Sequence, residues 1–519
     1  MAEHDAVIVG SGVNGLACGA LLAKAGWNIC VLERNDWFGG AIRTAEITAP
    51  GYRHDVFSAW HPLWVGGPAH AQLGDDLARH GLEYLNTALP TATCFPDGES
   101  VFLLRTADAN AAEVGEEWHD VLASFFPNAD LAFGVLGTEL RSRHGAALAA
   151  KALRRLGRRE ALEFGGSLLV SARDWLETTF ASERAHGLLA PWVLHTGLGP
   201  DAAASGYMAQ VIAVAVQEGG MPIPRGGGAV LADALVSCIR EWGGVCETGV
   251  HVSRVSPDGV QTSDGDRIGA RRAVVCNVTP TQLYGELLPG LDGAAEHFRY
   301  GRSEMQIHFA LSEPPRWDGD ERLGRTAIVH LTPGLDGVSR SVNEAERGLL
   351  PAEATVVVGQ PLTIDPSRAP DGAGLLWIQL QELPWRIKGD AAGELDVGDG
   401  TWTESVRELY ADRIQARLAK HIPNLEQAIV ARTALSPADL QEANINLVHG
   451  DPYGGSLALD QSFLWRAPHR TPVDRVWHVG ASTHPGPGLG GGSGVLVAEQ
   501  LLEQPLVKRL AARLRRPSS

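Results

Sequence analysis

A polar start gives way at Asp5-Ala-Val-Ile-Val9 to an apolar run, which predicts a short buried strand. The turn Gly10-Ser-Gly12-Val-Asn14-Gly15 follows, and then LACGALLAKAG, whose small and apolar residues predict a helix closing near Gly26. A second strand, NICVLE, ends in Glu33. The same punctuation returns later. The turn PRGGGA at 224–229 precedes the helical pattern VLADALVSCIREWGG, residues 245–255 read as one or two short strands, and 256–276 reads as a hairpin leading into the apolar strand AVVC. Near the end, RVWHVG predicts a strand, and the glycine-rich stretch 481–494 leads into the helix VLVAEQLLE.

Between these pieces the pattern changes. Residues 66–223 read largely as helices, whereas 303–311, 326–332, 355–360 and 375–381 read as strands of a second sheet, with an amphipathic helix over 402–422. The expected organisation is an α/β nucleotide-binding domain assembled from separated segments, 1–65, 224–285 and 471–504. A mainly helical cap, 66–223, and an α+β substrate domain, 286–470, are inserted between them, and 505–519 forms a basic tail.

The first turn carries specific chemistry because of its setting. Gly10 permits the tight turn, Gly12 lets a pyrophosphate approach backbone N–H groups, and Gly15 lets the helix lie close to the sheet. Glu33, ending the next strand, can accept bonds from a ribose, and its charge disfavours a 2′-phosphate, so FAD or NAD is expected over NADP. Gly39 and Gly40 can carry backbone amides past the pyrophosphate. Arg34 or Arg43 could offset phosphate charge, or Arg43 could face solvent. Val252, in the alternating stretch GVHVSRV, could pair its backbone with an adenine edge or be a plain strand residue. The glycine loop before the last helix suits a chain passing flat against an isoalloxazine ring, with the helix N-terminus offsetting negative charge on it.

Composition narrows the class. Forty-four basic against 61 acidic residues give a net charge of −17, which argues against a general nucleic-acid partner. The cysteines, at 18, 30, 94, 238, 246 and 276, show neither CxxC nor zinc-ligand spacing, so no metal site, no disulfide and no redox pair is expected. No signal-peptide pattern or spanning segment is read, and a cytoplasmic protein is expected. Peripheral membrane contact could come through the tail residues Lys508, Arg509, Arg513, Arg515 and Arg516, or that tail could be a solvated helix.

The stretches GSGVNGLACGALLAKAGWNICVLERNDWFGG at 10–40, PRGGGAVLADAL at 224–235 and VGASTHPGPGLGGGSG at 479–494 together resemble the phytoene-desaturase-like FAD oxidoreductases. The similarity is to the branch containing the mitochondrial pyridine nucleotide-disulphide oxidoreductase domain protein. This resemblance implies a Rossmann-like domain of the glutathione-reductase type with FAD as cofactor. Gly10, Gly12, Asn14 and Gly15 would then serve the pyrophosphate, Glu33 the ribose, and Val252 the adenine side. The segment carrying Gly480, Gly488, Gly490, Gly491, Gly492 and Gly494 would serve the flavin. Many members of the wider superfamily place an acidic residue after the glycine matching Gly480, where this chain has Ala481.

On the substrate side, Trp60, Trp64, Trp192, Trp377, Trp385 and Trp465 suggest an aromatic-walled pocket, although each could be ordinary core. His61 in SAWHPLW, His484 in the glycine loop, and Asp460 beside Gln461 are the candidate acid-base groups, each with a structural role as the alternative. His195 in HTG and His449 in HG are weaker candidates. The expected reaction is dehydrogenation or desaturation of an apolar small molecule by hydride transfer to flavin N5, with oxygen or a quinone as acceptor. Amine oxidation at a C–N bond, or an FAD-containing interaction protein without redox activity, are the alternatives.

Overall fold

The computed structural model describes residues 2–503. The basic tail 505–519, and with it the membrane contact expected there, lies outside the described residues.

Two seven-stranded sheets organise the chain. In the first, Ala2–Val9 lies between Arg267–Asn277 and Ile29–Leu32, with which it pairs in parallel. Val245–Glu247 extends the sheet beyond Ile29–Leu32. On the other side, Arg267–Asn277 pairs antiparallel with the hairpin strand Gly259–Thr262 through its first half and parallel with Val476–Val479 through its second. Strands from the beginning, middle and end of the sequence therefore share one sheet, as the repeated glycine turns predict. Helix Val13–Lys24 covers one face, and its ten buried residues include Gly15 and Gly19, which keep it close to the strands. Helix Gly492–Leu502 packs on that helix, and a β-carbon at Gly494 would strike the Asn14 carbonyl.

In the second sheet the order is Ile429–Leu435, Ser303–Leu311, Gly374–Leu383, Val356–Gly359, Ile328–Leu331, Thr91–Cys94, Ser100–Leu103. The last two strands fall inside the segment expected to be mainly helical, and Thr91–Cys94 pairs in parallel with Ile328–Leu331. Their short runs, TATC and SVFL, are too brief for a period to declare itself, and long-range pairing decides their state. Alternation sorts the sheet into two faces. Met305, Ile307, Phe309, Ile378 and Leu380 pack against Tyr410, Ile414 and Leu418 of helix Glu404–Ala419. Of the intervening residues, Trp377 packs with the helices of 107–219 and Glu304, Gln306, Gln379 and Gln381 line the space beneath them, while His308 meets His54 and Ala310 meets Tyr52. Burying both faces removes a sheet of this width from solvent.

Among the described residues no helix is long and apolar enough to cross a membrane. The run KALRRLGRR lies on helix Arg143–Ser167, which breaks at Gly157 (φ +79°), and it is largely exposed. All six cysteines are buried and unpaired, and burial alone pushes the Cys18 and Cys276 thiols up to about 12.

Candidate functional site

One continuous cavity of about 370 Å³ runs from the end of the first sheet to the inner face of the second. Its outer half is a groove built on the glycine turns. Gly10 has φ +88°, and a β-carbon there would press on the Asn277 carbonyl; at Gly12 it would run into the Asn277 carboxamide, and at Gly15 into the Gly10 carbonyl. Asn277, ending the neighbouring strand, is therefore what closes Gly10 and Gly12 to side chains, and the turn's own backbone closes Gly15. Helix Val13–Lys24 starts without a capping side chain, which leaves its first N–H groups available to an anion.

Glu33 is buried at the groove wall. Its Oε2 accepts from the Ser11 N–H at 2.9 Å and the Ser11 hydroxyl at 2.7 Å, and its Oε1 accepts from the Asn35 N–H at 2.9 Å. A carboxylate has about four lone-pair sites, so capacity for a ribose hydroxyl remains. Gly39 donates its N–H to the Ser11 carbonyl, and Gly40 (φ +59°) lies against Gly12, so a second glycine turn closes over the first. Asn14, Arg34 and Val252 complete this part of the lining, and Gly480 and Gly488 line the stretch that leads inward.

Several residues assigned to this groove from sequence stand elsewhere. Arg43 lies over the Trp37 ring at 4.1 Å in a cation–π contact and does not line the groove. Gly15 is packed behind the turn. Gly490, Gly491 and Gly492 are backed by Leu63, by Trp64 and Ala69, and by Pro485 respectively, and Gly494 serves the helix–helix contact. These glycines shape the loop rather than line it. Ser493 ties the loop down: its hydroxyl accepts the Gly480 N–H at 3.1 Å and lies 2.6 Å from the Thr483 hydroxyl.

The inner half is an aromatic chamber. Trp60, Trp192 and Trp377 line it with Phe57, and Trp60 and Trp377 meet edge to face at 5.2 Å. Trp64 is core, Trp385 stacks on His449, and Trp465 is 59% exposed. Glu304 and Gln306 from one strand, with Gln379 and Gln381 from the next, form a polar inner end.

None of the three candidate acid-base groups lines the chamber. His61 is fully buried behind Pro62, with Nδ1 3.1 Å from the Tyr84 hydroxyl, because helix Pro62–Val65 starts there and turns the ring inward. His484 is buried beneath the glycine loop. Burial holds both well below the ordinary imidazole range, at about 4. Asp460 is on the surface in an ion pair with Arg299 at 2.8 Å. His195 is the histidine that lines the chamber. Its Nε2 lies 3.0 Å from His330 Nε2, and burial lowers it to about 3, so it is neutral. Asn277, Glu304, Gln306, Gln379 and Gln381 were not singled out from sequence. The alternation Glu304-Met-Gln306-Ile-His308 was the available signal, and it reads as a solvent-facing strand until the covering helices are seen.

Comparison with known proteins agrees with this architecture. Residues 8–77 match the model of an NAD(P)-binding Rossmann-like domain. The chain is 26% identical to pyridine nucleotide-disulfide oxidoreductase domain-containing protein 2 of Mus musculus, over 95% of this chain and 92% of that protein. It is 26% identical to phytoene desaturase of Neurospora crassa, over 97% of this chain and 86% of that one. Among solved structures, wild-type putrescine oxidase bound to putrescine superposes with a TM-score of 0.61 at 16% identity, covering 99% of both chains. The fold is thus a two-lobed, Rossmann-like FAD-binding fold with an inserted α+β substrate domain. The chain is a distant, low-identity relative of both the phytoene desaturases and the pyridine nucleotide-disulfide oxidoreductase domain proteins, and it is an FAD-dependent oxidoreductase.

Proposed function

We propose that the chain oxidises a largely apolar small molecule held in the aromatic chamber, and that the bond oxidised is C–N. The observation that carries the reading is the continuity of the glycine groove with the chamber, which brings a dinucleotide's ring system and a substrate into one water-poor space. Bound FAD supplies the acceptor for a hydride leaving the substrate carbon. Gly10, Gly12, Asn14 and the open N-terminus of helix Val13–Lys24 hold the pyrophosphate, with Arg34 near its charge. Glu33 would hold the ribose, Val252 the adenine side, and the Gly480–Gly488 stretch would support the ring. Trp60, Trp192 and Trp377 exclude water and orient the substrate body. His195, neutral and 3.0 Å from His330 Nε2 through its own Nε2, faces the substrate body from the chamber wall.

Desaturation of a bare carbon skeleton fits the chamber less well than amine oxidation does, because the inner end carries two buried carboxamide oxygens, Gln306 Oε1 and Gln381 Oε1, that a hydrocarbon would leave without a partner. Likeness to the putrescine oxidase fold leans the same way. Desaturation stands as the second reading on one observation: the sequence relatives that span nearly the whole chain include phytoene desaturases. Oxygen or a quinone is the proposed terminal acceptor.

Anaerobic mixing of the FAD-containing protein with a panel of alkylamines and isoprenoid hydrocarbons tests this. The reading expects an amine to bleach the flavin and to give a carbonyl compound and free amine or ammonia on work-up, with colour restored by oxygen or a quinone. A product merely two mass units lighter, from a hydrocarbon, would move the assignment to desaturation. A flavin that nothing on the panel reduces would favour a binding protein.

A further inference from the structure

The inner end of the chamber holds side chains that can accept hydrogen bonds and have little to accept. Glu304 and Gln306 project from Ser303–Leu311, and Gln379 and Gln381 from its antiparallel neighbour Gly374–Leu383, with Gln306 directly opposite Gln379. Glu304 is 4% exposed, Gln306 1% and Gln381 2%, and all of them line the cavity.

Two of the carboxamide donors at this end are engaged by neighbouring side chains. Gln379 Nε2 donates to Glu304 Oε1 at 2.8 Å, and Gln381 Nε2 donates to the Tyr453 hydroxyl at 3.0 Å. That hydroxyl sits 2.7 Å from the Leu194 carbonyl and 3.3 Å from Glu304 Oε1, with one proton to give. Gln306 Oε1 and Gln381 Oε1 are left buried with no partner. Among the described residues no cation pairs with Glu304, whose neighbours are Gln379, Tyr453, Gln306 and the carboxyl of Asp451. Arg302, just before Ser303–Leu311, is committed to Glu346 and the carbonyls of Gly197 and Leu198. Among the side chains that line this end, the unpartnered surplus is thus of acceptors, Gln306 Oε1 and Gln381 Oε1, beside a carboxyl that no cation pairs.

We propose that this cluster is an anchoring subsite for a protonated aliphatic amine, with Glu304 as counter-charge and the Gln306 and Gln381 carbonyls as further acceptors. The inference rests on the chamber's being the substrate site. An ammonium group brings up to three N–H donors and a positive charge, matching the surplus in number and sign. A hydroxyl brings one donor and no charge, a hydrocarbon end brings neither, and a carboxylate brings no donor for Gln306 Oε1 or Gln381 Oε1. Burial, with Asp451 nearby, pushes Glu304 up to about 8, so at pH 7 it is mostly protonated until a cation favours the ionised form. Burial holds Tyr453 well above its ordinary value, so it stays a neutral phenol, and His195 is neutral and supplies no competing cation. Amine binding at pH 7 then releases the Glu304 proton.

The test uses the FAD-containing protein with n-octylamine and n-octanol as probes, in calorimetric titrations at pH 7 in two buffers of different ionisation enthalpy. The subsite predicts that octylamine binds at least tenfold more tightly than octanol, with most of one proton released. Glu304→Gln should weaken octylamine at least tenfold, leave octanol within threefold and abolish the release, and Glu304→Asp should recover part of the amine affinity. Full FAD content in both variants controls for folding. Equal affinity for the two probes, or equal weakening of both by Glu304→Gln with FAD retained, would overturn the subsite. It can fail separately from the oxidase reading: Glu304-dependent amine binding without flavin bleaching upholds the anchor and defeats amine oxidation, whereas bleaching indifferent to Glu304 does the reverse.

Discussion

Gly12 has an ordinary φ of −59°, so its need for glycine comes from what stands opposite, the Asn277 carboxamide. Forcing a branched side chain into so close a contact costs ~1–3 kcal/mol and displaces a groove-lining residue. Gly12→Val should therefore lower FAD affinity by roughly ten- to a hundredfold, read as flavin released on denaturation, and Gly12→Ala/Asn277→Ala should bind FAD better than Gly12→Ala alone. At Glu304 the residue-scale consequence is a pH dependence. Its folded value of about 8 lies above the unfolded ~4.3, so the folded state binds the extra proton between them. The stability this proton provides is full below ~4.3 and is lost as pH rises through about 8, a span worth a few kcal/mol. Thermal unfolding of the ligand-free protein should show that decline over pH 6.5–8, and Glu304→Gln should flatten it.

Among the elements, the loop from Gly480 to the start of helix Gly492–Leu502 depends on one hydroxyl. Ser493 Oγ accepts the Gly480 N–H and contacts Thr483, while His469, itself 2.6 Å from Glu139, bonds the His484 carbonyl alongside. Removing a buried hydrogen-bonding partner costs ~1–3 kcal/mol. Ser493→Ala should raise the FAD dissociation constant about tenfold while leaving the far sheet's stability unchanged, measured by flavin fluorescence on dilution and by hydrogen exchange. Much at this scale is legible in the sequence. The strands Ser303–Leu311 and Val356–Gly359 and the helix Glu404–Ala419 fall where alternation and amphipathicity predict them. The glycine turns declare the groove because only a nucleotide site needs that punctuation. The chamber is illegible for an opposite physical reason. A strand reading Glu-Met-Gln-Ile-His-Phe alternates as a half-exposed strand does, and only tertiary packing turns its polar face inward. His61, His484 and Asp460 were singled out by proximity to glycine-rich or aromatic stretches, and sequence carries no information about the direction in which such side chains point.

For the whole molecule, the buried histidines set the acid side of the stability curve. His61, His308, His478 and His484 are each held at about 4, chiefly by burial. Their folded values lie below the unfolded ~6.5, so the stability they provide is present above ~6.5 and is lost as pH falls towards 4. Four such groups outweigh Glu304 in that window, so maximum stability should lie near neutral pH, and Glu304→Gln should shift the maximum upward. The joining of the two lobes through one cavity decides whether the cofactor and the chamber act together. A crystal structure of the FAD-loaded protein tests it most directly. Adenine should lie beside Val252, ribose at Glu33, pyrophosphate over Gly12 at the start of helix Val13–Lys24, and a ring face should open to Trp60, Trp192 and Trp377. A flavin ring walled off from that chamber, or a dinucleotide bound outside the Gly10–Gly15 turn, would contradict it.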